Sequence, residues 1–282
     1  MLRIIVVSIF FLFSQNEVLA QEKSELTILS WNVFLRPAIL NDNQLDRVDS
    51  IANYLAATNA DVLVLQEVFH KKAKRRLMNQ LRSAYKFSTQ PGKRSFWGVP
   101  SGVVILSKHK IVKERHVNFK AAKGSDKMAC KGGVSAIIDF FGAKIQVIGT
   151  HLQAGRGEKR NRIRRRQLKK LKTIEDTSAI ASFYVGDFNI ANETESYSQM
   201  MKFLDLENIS PSGDKKKTSN FSDNELYPTT EKARWIDFIL LRKNRKVKLK
   251  NSRIEEPKRK INGQLSRLSD HNPILSSVII SR

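Results

Sequence analysis

Short apolar runs alternate along the chain with longer stretches in which apolar residues recur at helical spacing. Residues 26–33, 61–67, 102–107, 134–140, 145–150, 183–185, 235–241 and 274–280 are rich in β-branched and aromatic residues and short enough for buried strands. Between them, Leu45, Val48, Ile51, Ala52 and Leu55 mark the apolar face of a helix that Asn41 and Asp42 are placed to cap. Residues 71–84 read as a second helix. Residues 158–174 form a basic helix with a narrow apolar stripe at Ile163, Leu168, Leu171 and Ile174, and residues 197–206 a shorter one. Strands and helices are interspersed, which predicts an α/β (layered α+β) domain with helices packed over sheet. There is no internal repeat and no linker rich in Pro, Gly or Ser. The polar stretch 210–225 reads as a surface loop, so one domain is expected.

The N-terminus has a different pattern. Arg3 precedes an apolar run from Ile4 to Phe13, and the following stretch ends in Val18-Leu19-Ala20. This is the layout of a secretory signal peptide cleaved after Ala20, with residues 21–282 as the mature domain. The run is shorter than the ~20 residues that span a bilayer. A secreted or periplasmic protein is the expectation. Cys130 is the single cysteine, so no internal disulfide can staple the fold.

Composition adds one constraint. Of 282 residues, 41% are hydrophobic, enough for a sizeable core and too many for a disordered chain. Fifty Lys and Arg face 27 Asp and Glu, a net charge of +23, which points to an anionic partner: nucleic acid, an acidic lipid surface or another polyanion. The leader carries one base and one acid, so its removal leaves the charge unchanged. The excess lies in runs at 71–76, 156–172, 215–217 and 242–260.

The chemistry-bearing residues stand elsewhere, at strand ends. Asn32 closes the first strand, Glu67 the second and His151 the strand at 145–150. Asp187 and Asn189 follow Tyr184-Val185-Gly186, Asp237 sits inside Trp235-Ile236-Asp237-Phe238-Ile239, and Asp270-His271 precedes the last strand. Each alone reads as a turn residue, a cap or a surface charge. Together they are harder to dismiss, because a carboxylate flanked by apolar residues, as Asp237 is, needs a charged or hydrogen-bonded partner, and a His is the natural one. Carboxylates, amides and imidazoles without a cysteine cluster suit a hard cation such as Mg2+ together with a phosphate group.

In order and wording these segments resemble the endonuclease/exonuclease/phosphatase superfamily, the deoxyribonuclease I-like fold. The segments that carry the resemblance are Ser30-Trp31-Asn32-Val33, Leu65-Gln66-Glu67-Val68-Phe69, residues 101–107, Gly149-Thr150-His151-Leu152, Gly186-Asp187-Phe188-Asn189, Trp235-Ile236-Asp237-Phe238 and Ser269-Asp270-His271-Asn272-Pro273. Within it the chain looks most like bacterial neutral sphingomyelinases (sphingomyelinase C). The shared phrases are Asn32-Val33-Phe34-Leu35, Glu67-Val68-Phe69, residues 148–154 and Arg166-Gln167-Leu168-Lys169, with echoes at 119–124 and Lys131-Gly132.

The resemblance implies a four-layer sandwich of two packed β-sheets flanked by helices, and an exported Mg2+-dependent phosphodiesterase that hydrolyses sphingomyelin to ceramide and phosphocholine. It implies that Glu67, with Asn32 close by, binds the metal and that Asp270 is a second metal-side carboxylate. His271 would be the general base and Asp237 would orient it. Asp187 would orient the water, Asn189 would donate to a phosphate oxygen, and His151 would sit on the phosphate. A phospholipid membrane surface is the expected partner and a monomer the expected state. The sequence departs from the family in two places: residues 257–268, where the family carries an aromatic-rich hairpin, are basic and hold no aromatic residue, and the family disulfide has no counterpart. Phe96 and Trp97 are candidates to replace that hairpin. A deoxyribonuclease-like endonuclease, which the basic runs would suit, is the alternative; a sugar- or inositol-phosphate phosphatase and a non-catalytic binding module are further ones.

Overall fold

Strands that are apolar on both faces must be covered on both faces, and in this protein they are. The computed structural model describes residues 23–90, 101–119, 131–261 and 263–281; the signal peptide, Phe96, Trp97 and Cys130 lie outside the described residues. In chain order the elements are β1 (Lys23–Leu35), α1 (Gln44–Ala57), β2 (Val62–Val68), α2 (Lys71–Leu81), β3 (Phe87–Ser88), β4 (Val104–Ser107), β5 (Ile111–Asn118), β6 (Gly132–Phe140) and β7 (Ala143–His151). They continue with α3 (Glu158–Lys172), β8 (Ala181–Asp187), α4 (Glu195–Leu204), β9 (Leu206–Asn208), β10 (Asp237–Arg242), β11 (Val247–Ile254), β12 (Lys258–Ile261), β13 (Gln264–Arg267) and β14 (Ile274–Ser281).

Two six-stranded sheets form, in the orders β11-β14-β1-β2-β4-β3 and β5-β6-β7-β8-β10-β9. Their inner faces share one core that includes Leu26, Ile28, Val62, Val64, Ile145, Val147, Phe183 and Val185. The alternate residues point outward. Leu29, Trp31, Val33 and Leu35 of β1 pack under α1 and α2, whereas Ile148, Tyr184, Phe238 and Leu240 pack under α3 and α4. The result is the expected helix–sheet–sheet–helix sandwich. Gly149 lets the two sheets approach, because a Cβ there would lie 2.9 Å from Val64 Cγ1 and 3.1 Å from Val103 Cγ1.

Both sheets are built around one parallel pair with antiparallel neighbours. β1 and β2 run parallel, with β14 antiparallel to β1 and β4 antiparallel to β2. β7 and β8 run parallel, with β10 antiparallel to β8 and β6 antiparallel to β7. The ends of the parallel strands and the beginnings of β10 and β14 therefore share one edge in each sheet. That edge receives Asn32, Glu67, His151, Asp187, Asp237 and Asp270-His271. The register makes this explicit: Asp187 is opposite both His151 and Asp237.

Several local expectations need correction. Asn41 and Asp42 do not cap α1; Asn43 occupies the cap position in the left-handed region, and the Asp42 carboxylate instead takes two hydrogen bonds from Arg36, at 2.8 and 2.5 Å. α2 ends at Leu81, short of residue 84, and its N-terminus is capped by His70, whose Nδ1 accepts from Ala73 N at 3.1 Å. β5 and β11, both edge strands, carry charged residues along their length, a pattern that blocks edge-to-edge pairing and hides the strand period. Residues 257–268 do form a hairpin, β12 paired with β13 and turning through Gly263 at φ +82°, with basic residues and an exposed Leu265 in place of aromatics. No helix among the described residues is long and apolar enough to cross a membrane.

Candidate active site

The shared edge gathers all eight residues expected from the sequence. Asn32 stands between the two halves: its Nδ2 donates to Glu67 Oε1 and to Asp187 Oδ2, both at 3.3 Å, while its Oδ1 accepts from Phe34 N. Asp187 Oδ2 is also 3.3 Å from His151 Nε2 and 3.9 Å from His271 Nε2. His271 Nδ1 lies 2.8 Å from Asp237 Oδ2, a direct imidazole–carboxylate pair. Asn189 is fixed by its backbone N, which donates to Asp187 Oδ1, and by its Nδ2, which donates to the Leu152 carbonyl at 3.1 Å. Glu67 and Asn189 adopt positive φ, +59° and +52°, a conformation costly for a non-glycine residue and held by the strand ends around it. Trp31 Nε1 donates to the His271 carbonyl, and Ser269 Oγ to the Asn32 carbonyl, which ties the last loop to β1.

Three contributors escaped sequence reasoning. Lys131 is buried, with its Nζ 2.8 Å from both His151 Nε2 and the Leu152 carbonyl. Thr218 and Ser219 are buried although the loop holding them reads as a surface loop. Thr218 Oγ1 accepts from Ile236 N and Asp237 N, and Ser219 Oγ lies 3.2 Å from His271 Nε2. A lone Lys beside two glycines and a Thr-Ser pair after three lysines carry no periodic signal. Lys131-Gly132 within the family echo was the one available hint.

The electrostatics follow from burial and from this crowding. Burial works against charge on His271, but Asp237 and Asp270 overcome it and hold its pKa well above the usual value. His151 is driven the other way, by burial first and then by the charges of Lys131 and His271, so it is held neutral. Burial raises Glu67, with Lys131 and His271 opposing. Burial and then the charge of Asp237 push Asp187 up to about 6, and burial, with Glu67 adding to it, pushes Asp270 up to about 7.

Such a cluster is short of positive charge. Glu67 Oε2 and Asp237 Oδ1 are buried without a hydrogen-bond partner among the described residues. Ligand atoms of Asp187, Asp237 and His271 lie within 4.8 Å of one another, close enough to hold an ion. His271 is committed to Asp237, however. The partnerless Glu67 oxygen, with the buried Asp270 carboxylate close enough to feel the Glu67 charge, makes that side the better cradle for a hard cation. The donor set is oxygen-rich and contains no thiol, which fits Mg2+ and does not fit a thiolate zinc site.

A profile of the Endonuclease/Exonuclease/phosphatase family matches residues 29–271. A sphingomyelinase C of Leptospira interrogans is 30% identical over 222 residues, which cover 69% of this chain and 40% of that protein; the chain thus matches less than half of that relative's length. The crystal structure of a beta toxin from Staphylococcus aureus superposes with a TM-score of 0.76 at 26% identity, covering 89% of this chain and 99% of that one. A substituted form of that toxin, crystallised with bound magnesium ions, has the same fold, with a TM-score of 0.75 at 24% identity over 92% of this chain and 100% of that one.

Proposed function

The chain belongs to the Endonuclease/Exonuclease/phosphatase family, and from that premise we propose that it is a divalent-metal-dependent phosphodiesterase that cleaves sphingomyelin to ceramide and phosphocholine. The observation that carries the reading is the line Asp237–His271–Asp187, with the partnerless Glu67 oxygen across Asn32 from it. A sphingomyelinase C in Leptospira interrogans and a phospholipase C in Staphylococcus aureus support the choice of substrate class.

With Nδ1 donating to Asp237, His271 that has lost its Nε2 proton presents Nε2 as an acceptor on the side facing Asp187. A water between these two groups is oriented by Asp187 and gives its proton to Nε2 as it attacks phosphorus in line. Asp237 stabilises the imidazolium that forms. Glu67 and Asp270, with Asn32 fixing the Glu67 carboxylate, would hold the ion, which supplies charge neutralisation at the phosphoryl oxygens. Lys131 and Asn189 flank the phosphate. His151, neutral in the free site, binds a proton from solvent as the anionic phosphate arrives and passes it to the departing alkoxide, while His271 returns to solvent the proton it took from the attacking water. Acid–base groups alone supply only ~10²–10⁴ in rate, so phosphodiester cleavage needs the ion and the fixed cations as well.

The test offers the mature protein, with Mg2+, sphingomyelin vesicles, plasmid DNA and a phosphomonoester in parallel. Phosphocholine release that vanishes in Glu67→Gln and His271→Ala is expected. Plasmid nicking without phosphocholine release would overturn the lipid reading in favour of an endonuclease, which the net charge of +23 would suit.

A further inference from the structure

Helix α3 divides into two faces with opposite character. Its buried side holds Ile163, Arg164, Gln167, Leu168 and Leu171. From Lys159 to Lys172 the seven exposed positions are all Lys or Arg. At 100° per residue they cover a continuous arc of roughly 160°, and they run for about 20 Å along the axis. The single acid of the helix, Glu158, is taken up by Arg165 at 2.5 Å. Such a face is complementary to an array of phosphates and has no counterpart in the catalytic geometry.

A second feature lies directly beside it. Between α3 and α4 opens a cavity of about 170 Å3, lined mainly by apolar atoms. Leu168, Ile190 and Met200 form its floor, the half-exposed Phe203 its lip, and Arg165 and Lys169 its rim. Apolar cavities of ~150 Å3 take up molecules the size of benzene, so this one has room for a short length of hydrocarbon. Lys172 Nζ stands 4.9 Å over the Phe203 ring and extends the basic rim along the lip. Beneath the groove, Arg164 donates to the carbonyls of Gln153 and Gly155, at 2.7 and 2.8 Å, in the segment that follows His151.

We propose that the α3–α4 groove is a binding site for an anionic phospholipid, with the headgroup phosphate on Lys169 and on Arg165, which exchanges its exposed Glu158 partner for the phosphate, and part of an acyl chain over Leu168, Ile190 and Met200. A nucleic-acid backbone would use the basic face but not the groove, and the exposed face of α3 offers no aromatic ring on which a base could stack. A lipid with a negative headgroup uses both. The site contains none of the catalytic groups, so it stands whichever phosphoester the enzyme cleaves, and binding is scored without turnover.

The experiment sediments the full mature protein with phosphatidylcholine vesicles, with and without phosphatidylglycerol, beside a short duplex DNA. Phosphatidylglycerol should drive binding. The double variant Arg165→Glu/Lys169→Glu should weaken it by about tenfold or more, and Phe203→Ser, which opens the groove wall without changing charge, should weaken it as well. Both variants should keep the parent's melting temperature and its turnover of a soluble phosphodiester. Equal binding by parent and both variants would overturn the site. Loss in the charge variant alone would overturn the acyl groove, and duplex DNA bound more tightly than phosphatidylglycerol vesicles, with the same dependence on Arg165 and Lys169, would replace the lipid by nucleic acid.

Discussion

Two histidines in opposite protonation states set the proton balance of the active edge. His271 is held charged by Asp237 and Asp270 against its burial, and His151 is held neutral by burial, Lys131 and His271. For His271 to serve as base it must first lose its proton, so activity should rise with pH along an acid limb. Because Asp237 raises that pKa, Asp237→Asn should move the limb to lower pH. Loss of orientation should at the same time lower kcat by roughly 10²–10⁴. The pH profile of kcat/KM checks this, and a limb that stays in place would show that another group sets it. At this scale the sequence was readable wherever a polar residue interrupted an apolar run. Asp237 between Ile236 and Phe238 demanded a partner, and His271 is that partner. Lys131 and Ser219 were not readable, because each acquires its meaning from a residue 20 and 52 positions away respectively, and nothing in their own surroundings marks them.

The repeated unit at the level of elements is the strand–helix–strand crossover that makes β1 parallel to β2 and β7 parallel to β8. It turns chain order into a shared edge, and the edge into a site. The close approach of the two sheets over Gly149 holds the halves in register. Gly149→Ala would place a methyl group 2.9 Å from Val64 and 3.1 Å from Val103. The sheets would have to part, at a cost of about 1–3 kcal/mol. Urea denaturation should show that loss, with a parallel loss of activity as Glu67 moves relative to Asp187. The inner strands were legible because both of their faces are buried and their sequences are continuously apolar. The basic edge strands β5 and β11 were not. Their charged residues face water and neighbouring acids, as Lys113 does with Asp176 and Lys250 with Glu25, so propensity and period give little signal.

Across the whole molecule, most of the positive charge stands apart from the chemistry: the basic runs lie outside, while the active edge gathers Glu67, Asp187, Asp237 and Asp270 against the cations Lys131 and His271. Adding Mg2+ should therefore stabilise the folded protein. At about 100 times Kd the gain is ~2.7 kcal/mol, or roughly 5–10 °C in Tm. The gain should be clear at pH 8 and largely gone at pH 5, where Asp270, at about 7, and Asp187, at about 6, keep their protons. Thermal melts with Mg2+ and with EDTA at the two pH values check this; equal melts at pH 8 would argue against a metal in the site. The whole architecture was legible in outline because seven segments fall in order along one chain, whereas the segment that completes the His271–Asp237 pair was not, since it has almost no regular structure. That loop has a further consequence. Lys215, Lys216 and Lys217 are exposed, and the next residues in the chain are Thr218 and Ser219, which hold Asp237 and His271. A single cut by trypsin in this run should silence the enzyme while both sheets still melt as one cooperative unit. The lifetime of its activity is then limited by proteolysis of one short segment and not by the unfolding of the sandwich.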